Sequence, residues 1–175
     1  EKLKITKGTG KLEGIRSLNS SPLQNEFCMK MAKGNSVCSK CYSIDSLKTY
    51  RKNCDKAWGH NGDVLTKEEY SEEELPFLND AIFRIHSHGE VIDMTHLRNI
   101  LGIIRRNPQT TFSFFTKRKD LVAKLEEGEI PDNAVMVYSN PSLDFIMTEP
   151  PKGFHKTFNV VTSSDIAKIN CGARS

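Results

Sequence analysis

Four short apolar runs in the second half of the chain are rich in β-branched and aromatic residues and are separated by turn-forming segments. Such runs predict strands. They span Ala81–His86, Thr110–Phe115, Ala134–Tyr138 and Phe158–Val161. Apolar residues at helical spacing predict one helix from Thr95 to about Arg106 and another from about Asp120 to Glu127. Strands and helices therefore alternate, which is typical of a largely parallel sheet with right-handed crossovers.

The first half of the chain is less regular, because Gly, Ser, Asn and Pro residues interrupt its periodic runs. Two short strands are expected there, around Leu3–Thr6 and Leu12–Arg16. Composition favours a helix from Ser43 to about Trp58, and Gly59-His60-Asn61-Gly62 then indicates a turn. A second, exposed helix is expected from Thr66 to Leu75.

These elements predict one α/β domain over residues 1–175, since a chain of this length can bury a single sizeable core. The domain comprises an irregular, cysteine-bearing segment at residues 1–42 and βα units at residues 76–170. We expect an incomplete βα barrel or an open, largely parallel sheet. An antiparallel α+β arrangement is the alternative.

The net charge and the hydropathy of the chain exclude only a few classes of function. The formal charge of +3 is mild, and a dedicated nucleic-acid binder usually carries a denser basic stripe. No stretch approaches the roughly 18 apolar residues that span a bilayer, and no basic-then-apolar leader is present. We therefore expect a cytoplasmic protein with no membrane partner.

Chemically useful residues follow each of the four predicted strands. Ligands of parallel α/β sheets bind at the carboxyl ends of the strands, because those ends share one edge. The residues at these ends are His86, His88 and Glu90; Thr116, Lys117 and Arg118; Ser139 and Asn140; and Thr162–Asp165. The opposite ends of the strands carry only residues that are typical of turns. We therefore predict a ligand site on the carboxyl edge.

The segment His86-Ser87-His88-Gly89-Glu90 is the densest of these groups. At strand spacing, His86 and His88 would point the same way and could face one ligand. Gly89 permits a positive φ or a close backbone approach, and Glu90 could accept a proton or bind an amine. Alternatively, one histidine fills the interior of the sheet and Glu90 begins a solvated loop.

Lys117 and Arg118 predict an anion contact at the same edge. Arginine binds phosphate or carboxylate bidentately, whereas lysine acts as a point charge. The hydroxyl of Ser139 is a further candidate ligand contact. One of the two cations is expected to be exposed and idle.

The cysteines form the second candidate site. Cys38-Ser39-Lys40-Cys41 is a C-x-x-C knuckle that can direct two thiolates at one metal, and Cys28 precedes it. Three thiolates with one open coordination position suit a [4Fe-4S] cluster that binds a small molecule. If Cys171 is a fourth ligand, the site suits a structural zinc ion or a cluster with no open position. A redox dithiol is a third option, and Cys54 is expected to be a buried, inert thiol.

The order of these motifs resembles the phage Gene product 88 family. The resemblance spans most of the chain and is carried by five segments, Phe27-Cys28, Cys38–Tyr42, Phe83–Glu90, Phe115–Arg118 and Ile169–Gly172. That family is in turn similar to radical S-adenosylmethionine enzymes. This likeness implies an incomplete βα barrel, three early cysteines on a [4Fe-4S] cluster, and a His88-Gly89-Glu90 contact with the amino group of S-adenosylmethionine.

We therefore expect a phage-associated iron–sulfur protein of the bacterial host cytoplasm, with a radical S-adenosylmethionine-like fold and a small-molecule cofactor. The alternative is a non-catalytic phage module in which zinc or a closed cluster is structural and the basic rim binds nucleic acid or a host protein. A third hypothesis places a hydrolytic metal on His86, His88 and a carboxylate.

Overall fold

The computed structural model describes residues 2–162 of the chain. Within that range a six-stranded sheet has its strands side by side in chain order. The strands are β1 (Ile5–Lys7), β2 (Arg16–Leu18), β3 (Ile82–Ile85), β4 (Thr111–Thr116), β5 (Ala134–Leu143) and β6 (Lys156–Val160). Only β1 and β2 pair antiparallel, and all other neighbours are parallel. The predicted α/β fold with an open, largely parallel sheet is confirmed; the described strands do not close into a barrel.

Helices connect the parallel strands. The α helices are α1 (Glu26–Ala32), α2 (Tyr42–Lys48), α3 (Lys52–Lys67), α4 (Met94–Arg106) and α5 (Lys119–Val122), and short 3-10 turns lie at Gly10–Leu12, Val37–Lys40 and Glu72–Glu74. The side chain of Asp93 caps α4 by accepting a hydrogen bond from the backbone nitrogen of His96 at 2.8 Å. None of the helices in residues 2–162 is long and apolar enough to cross a membrane.

Three strands predicted in the second half of the chain agree with β3, β4 and β6 to within two residues, and α4 occupies its predicted range. The predicted end of the third strand at Tyr138 is wrong, because β5 continues to Leu143 and contains Ser139 and Asn140. The predicted turn at residues 59–62 is wrong, because α3 continues through it. Both glycines face side chains of other segments: a Cβ on Gly59 would lie 2.3 Å from Gln24 Oε1, and one on Gly62 would lie 3.0 Å from Ile92 Cδ1.

Three further boundaries differ from the predictions. The helix expected over Thr66–Leu75 is wrong, since α3 ends at Lys67 and only a 3-10 turn follows. The second strand begins at Arg16, after a 3-10 turn at Gly10–Leu12. The helix expected from Asp120 to Glu127 is confined to α5. Short polar stretches of this kind carry too little apolar periodicity to fix a boundary.

Alternation along the strands gives the sheet two different faces. One face packs on α4 and forms the core, with Phe83, Ile85 and Phe114 fully buried. The residues between them, including Arg84 and Phe115, lie on the opposite face and are only half-buried. The sheet therefore presents a partly open, mixed polar and aromatic face beside its carboxyl edge.

The amino-terminal ends of the strands are held by structural hydrogen bonds. Asn107 accepts from the backbone nitrogen of Leu78 and donates to the carbonyls of Pro76 and Ile103. Asp80 forms an ion pair with Arg16 at 2.6 Å. These polar groups are therefore satisfied internally. A second cavity, of about 620 Å³, lies beside them and is lined in part by Arg16, Pro76 and Leu78.

Candidate functional site

A cavity of about 340 Å³ lies at the carboxyl edge of the sheet. Its lining combines residues from the cysteine-bearing segment with residues of β3, of β5 and of the segments that follow β3 and β4, namely Cys28, Cys38, Cys41, Arg84, His86, His88, Gly89, Glu90, Lys117 and Ser139. The two groups of candidate residues that are far apart in the sequence therefore face one space.

Asn25 fixes the position of the first cysteine relative to the strand ends. Its Oδ1 caps α1 by accepting from the backbone nitrogens of Phe27 and Cys28, at 3.0 and 3.3 Å. Its Nδ2 donates to the backbone carbonyl of Glu90 at 3.0 Å. Ser36 similarly caps the turn that carries Cys38, accepting from its backbone nitrogen at 3.2 Å.

Burial and the surrounding charges raise the pKa of two cysteines. Burial is the main cause of the raised pKa of Cys28, and Glu90 and the other two thiols of the cavity add to it. Burial also raises the pKa of Cys38, while Lys117 opposes that rise. Within residues 2–162 no three or more His, Cys, Asp or Glu side chains lie together as a group that could hold a metal ion.

Glu90 is a buried carboxyl group with several donors. Its Oε1 accepts from the Thr116 hydroxyl and from the backbone nitrogen of Val91, and its Oε2 accepts from the backbone nitrogen of Lys117 at 2.8 Å. Burial nevertheless raises the pKa of Glu90, against the lowering effect of Lys117 and these hydrogen bonds. The carboxyl group thus lies rigidly at the base of the cavity.

His88 is held by neighbours on both ring nitrogens. Arg51 Nη1 lies 2.8 Å from Nε2, and since a guanidinium can only donate, Nε2 is the acceptor. Nδ1 therefore carries the proton and donates to Ser43 Oγ at 2.8 Å. The ring stacks on Trp58, with centroids 4.5 Å apart. Burial, then Arg51 and Arg84, lower the pKa of His88 to about 4.

His86 lines the same cavity as His88, but its ring has different neighbours. Strand β3 ends at Ile85, and His86 adopts a left-handed backbone with φ of 57°. Its ring lies edge-on to His96, with centroids 5.4 Å apart, whereas the His88 ring stacks on Trp58. Both ring nitrogens of His86 are buried without a hydrogen-bond partner among the described residues, which is an unusual arrangement for an imidazole.

Gly89 allows the chain to pass close to a neighbouring loop. Its φ is +82°, and a Cβ there would lie 2.0 Å from the carbonyl oxygen of Ser20. The hydroxyl of Ser20 donates to the carbonyl of Glu90 and accepts from its nitrogen, at 2.9 and 3.1 Å. The close approach thus holds the Glu90 backbone in place.

The two adjacent cations at the end of β4 have different surroundings. Lys117 faces the cavity, where its Nζ donates to Ser139 Oγ at 3.0 Å. Arg118 binds the carbonyls of Val91 and Ile92 and pairs with Asp120 at 2.9 Å. Arg118 is therefore engaged in holding the backbone after Glu90 and does not line the cavity.

Several contributors to the site were not predicted. Arg84 lines the cavity. It lies within a strand, so the direction of its side chain could be predicted only if the face of the sheet that the helices cover were known. Asn25, Ser43 and Arg51 hold site residues through contacts distant in sequence, a relation that no local motif reveals. For Arg84 the available signal was a charged residue within an apolar run.

The remaining candidates can be placed briefly. Cys54 lies in α3 and does not line the cavity. Cys171 and the polar residues 163–165 lie outside the described residues, so their predicted roles stay predictions.

Fold and cavity together define an α/β protein with a cysteine-lined cavity at the carboxyl edge of an open sheet. The chain belongs to the phage Gene product 88 family, whose family model matches residues 2–168. No curated protein and no solved structure matches the chain in the corresponding searches.

Proposed function

We propose that the protein binds a [4Fe-4S] cluster through Cys28, Cys38 and Cys41 and binds a small molecule beside it. The observation that carries this proposal is the single cavity lined by all three cysteines together with Glu90 and Lys117. Three thiolates leave one iron of such a cluster available to a further ligand. Zinc on the same thiols is the alternative.

The donor chemistry fits a thiolate-bound metal. The three thiols are close enough for their charges to raise the pKa of Cys28, as expected for a set that stays protonated until a cation replaces the protons. Metal binding would require the loop between Cys28 and Cys38 to adjust, since the thiols are not already converged. A bound cluster would supply electron transfer at the carboxyl edge.

S-adenosylmethionine is the small molecule we propose for the space beside the cluster. Glu90 supports this proposal because its carboxyl group lines the cavity, and only one hydrogen bond to its Oε2 is present among the described residues. A carboxylate with a remaining lone pair can accept from an ammonium group. Glu90 would therefore bind and orient an amine.

Metal retention by cysteine variants tests the ligand set. The protein is purified anaerobically, and iron and zinc are measured per chain in wild type and in Cys28→Ala, Cys38→Ala and Cys41→Ala. We expect each variant to lose most of the metal. Cys54→Ala is the matched control, because Cys54 does not line the cavity and its loss should leave the metal content unchanged. Unchanged metal in Cys38→Ala would refute the assignment.

The identity of the metal distinguishes the two functions. A brown protein whose spectrum changes on addition of S-adenosylmethionine supports an open cluster with a small-molecule ligand. Colourless protein with one zinc per chain supports a non-catalytic module with a structural metal, for which nucleic acid and host proteins are then the partners to test.

A further inference from the structure

Arg84 lies on the partly open face of the sheet, beside the cavity. It occupies the third position of β3, between the buried residues Phe83 and Ile85, so alternation directs its side chain away from α4. The guanidinium carbon lies 5.9 Å from the ring centroid of Phe115. Arg84 is half-buried there, and it also helps to lower the pKa of His88.

The guanidinium of Arg84 differs from the other guanidinium groups in residues 2–162. Each of the others donates at least one hydrogen bond; they are Arg16, Arg51, Arg98, Arg105, Arg106 and Arg118. Arg84 makes no hydrogen bond and no ion pair with another described residue, and its contact is the face of Phe115. A guanidinium whose donors are not used by the described residues is available to bind an anionic group.

A second cation with a neutral partner faces the same cavity. Lys117 Nζ donates to the hydroxyl of Ser139, and no carboxylate of residues 2–162 forms an ion pair with it. The Glu90 carboxylate in this cavity is already engaged by Thr116 and by backbone nitrogens. Arg84 and Lys117 therefore bring two positive charges to the lining of this cavity.

We propose that Arg84, Lys117 and Ser139 form a subsite for an anionic group, a phosphate or a carboxylate, of the molecule that enters this cavity. Arg84 would bind two oxygens through its planar fork, Lys117 would act as a point charge, and the Ser139 hydroxyl would donate a further hydrogen bond. The rings of Phe115 and Phe158, edge-on with centroids 6.0 Å apart, form an apolar wall for the rest of the molecule.

This inference deepens the proposed function, because it rests on the same ligand cavity, but it does not depend on the metal. The cations belong to β3 and to the segment directly after β4, whereas the proposed metal ligands belong to the connection between β2 and β3. Loss of metal and loss of anion binding can therefore be measured separately.

Equilibrium dialysis of the purified full-length chain against labelled inorganic phosphate, and separately against labelled acetate, tests the subsite. Potassium chloride keeps the ionic strength constant, so that screening does not change between samples. We expect wild type to retain about one anion per chain and Arg84→Gln to weaken binding at least about tenfold. Arg84→Lys should be intermediate, because lysine keeps the charge but loses the fork.

The controls separate this subsite from general surface charge and from the metal. Arg98→Gln removes an exposed arginine that pairs with Glu69, and it should bind the anion as wild type does. Cys38→Ala should retain anion binding, and Arg84→Gln should retain the metal content of wild type. If Cys38→Ala keeps its metal, the proposed ligand set fails while the anion subsite stands.

The preferred anion identifies the ligand class, since phosphate retention indicates a phosphate compound and acetate retention a carboxylate. The inference is overturned if wild type retains neither anion above the level of Arg84→Gln. It is also overturned if Arg84→Lys and Lys117→Gln both bind as tightly as wild type.

Discussion

Asn25 connects the first cysteine-bearing helix to the backbone of Glu90. Its Oδ1 accepts from the backbone nitrogen of Cys28, and its Nδ2 donates to the carbonyl of Glu90 at 3.0 Å. The side chain itself is 1% exposed, so water cannot replace these bonds. One buried amide thus fixes how a proposed metal ligand lies relative to the carboxyl edge.

Replacing Asn25 should therefore loosen both elements. Asn25→Ala removes a helix cap and leaves buried polar groups without a partner, which should lower the free energy of unfolding by about 1–3 kcal/mol. Asn25→Ser retains a capping oxygen but cannot reach the Glu90 carbonyl, so it should recover part of the loss. Urea unfolding of the three proteins checks this, and equal stabilities would contradict the proposed connection.

Gly89 offers a test of the close approach to Ser20. Gly89→Ala places a Cβ 2.0 Å from a backbone oxygen at a φ of +82°, and we expect a loss of about 3 kcal/mol or more. Gly128→Ala is the matched control, because Gly128 has a φ of +85° with no heavy atom within 4 Å of its ideal Cβ. It should lose only about 1 kcal/mol. Similar losses in both variants, measured by thermal unfolding, would show that backbone strain alone decides the effect.

The tautomer of His88 follows from its partner. Arg51 cannot accept a hydrogen bond, so the proton should be on Nδ1 and absent from Nε2 at neutral pH. Nitrogen-15 NMR of the labelled imidazole reports the protonated nitrogen directly. In Arg51→Met the ring should lose this preference. A proton on Nε2 of the wild-type ring would contradict the observed arrangement.

Stability should fall as the pH falls below about 6.5, the value of an unfolded histidine. Burial lowers the pKa of His96 to about 3 and that of His88 to about 4, and it lowers the pKa of His86 well below its usual range. The unfolded chain then binds protons that the folded chain excludes, so each histidine should reduce the free energy of unfolding by about 2 kcal/mol at pH 5.

The titration of Glu90 changes the free energy of unfolding in the opposite direction. Because burial raises its pKa, its contribution to stability is lost as the pH rises above the value of an unfolded glutamate, about 4.3. Urea unfolding of the metal-free protein between pH 7 and pH 5 should be dominated by the three histidines. A free energy of unfolding that stays constant or rises as the pH is lowered from 7 to 5 would show that these rings are not buried in neutral form.

The sequence pattern predicted the strand–helix order and the edge at which the candidate site lies. Apolar runs such as Thr110–Phe115 carry their own period, and helix α4 has both a cap and an apolar face, so these elements depend mainly on local signals. The position of Glu90 at the carboxyl edge follows from the parallel arrangement alone.

Contacts between distant segments could not be predicted in the same way. Gly59 and Gly62 indicate a turn in the sequence, yet they lie inside α3, next to side chains of the distant residues Gln24 and Ile92. Lys117 and Arg118 are equivalent in sequence, and only the three-dimensional path of the chain directs one to the cavity and the other to the backbone after Glu90. Similarly, the side chain of Arg84 lines the cavity because α4 covers the other face of the sheet.

Metal analysis with the visible absorption spectrum of the anaerobically purified wild-type protein is the most direct test of the central claim. We expect a brown protein with roughly four irons per chain, bound by the cysteines that line the cavity. Protein that contains no iron after reconstitution with iron and sulfide, whether or not it holds zinc, would contradict the cluster.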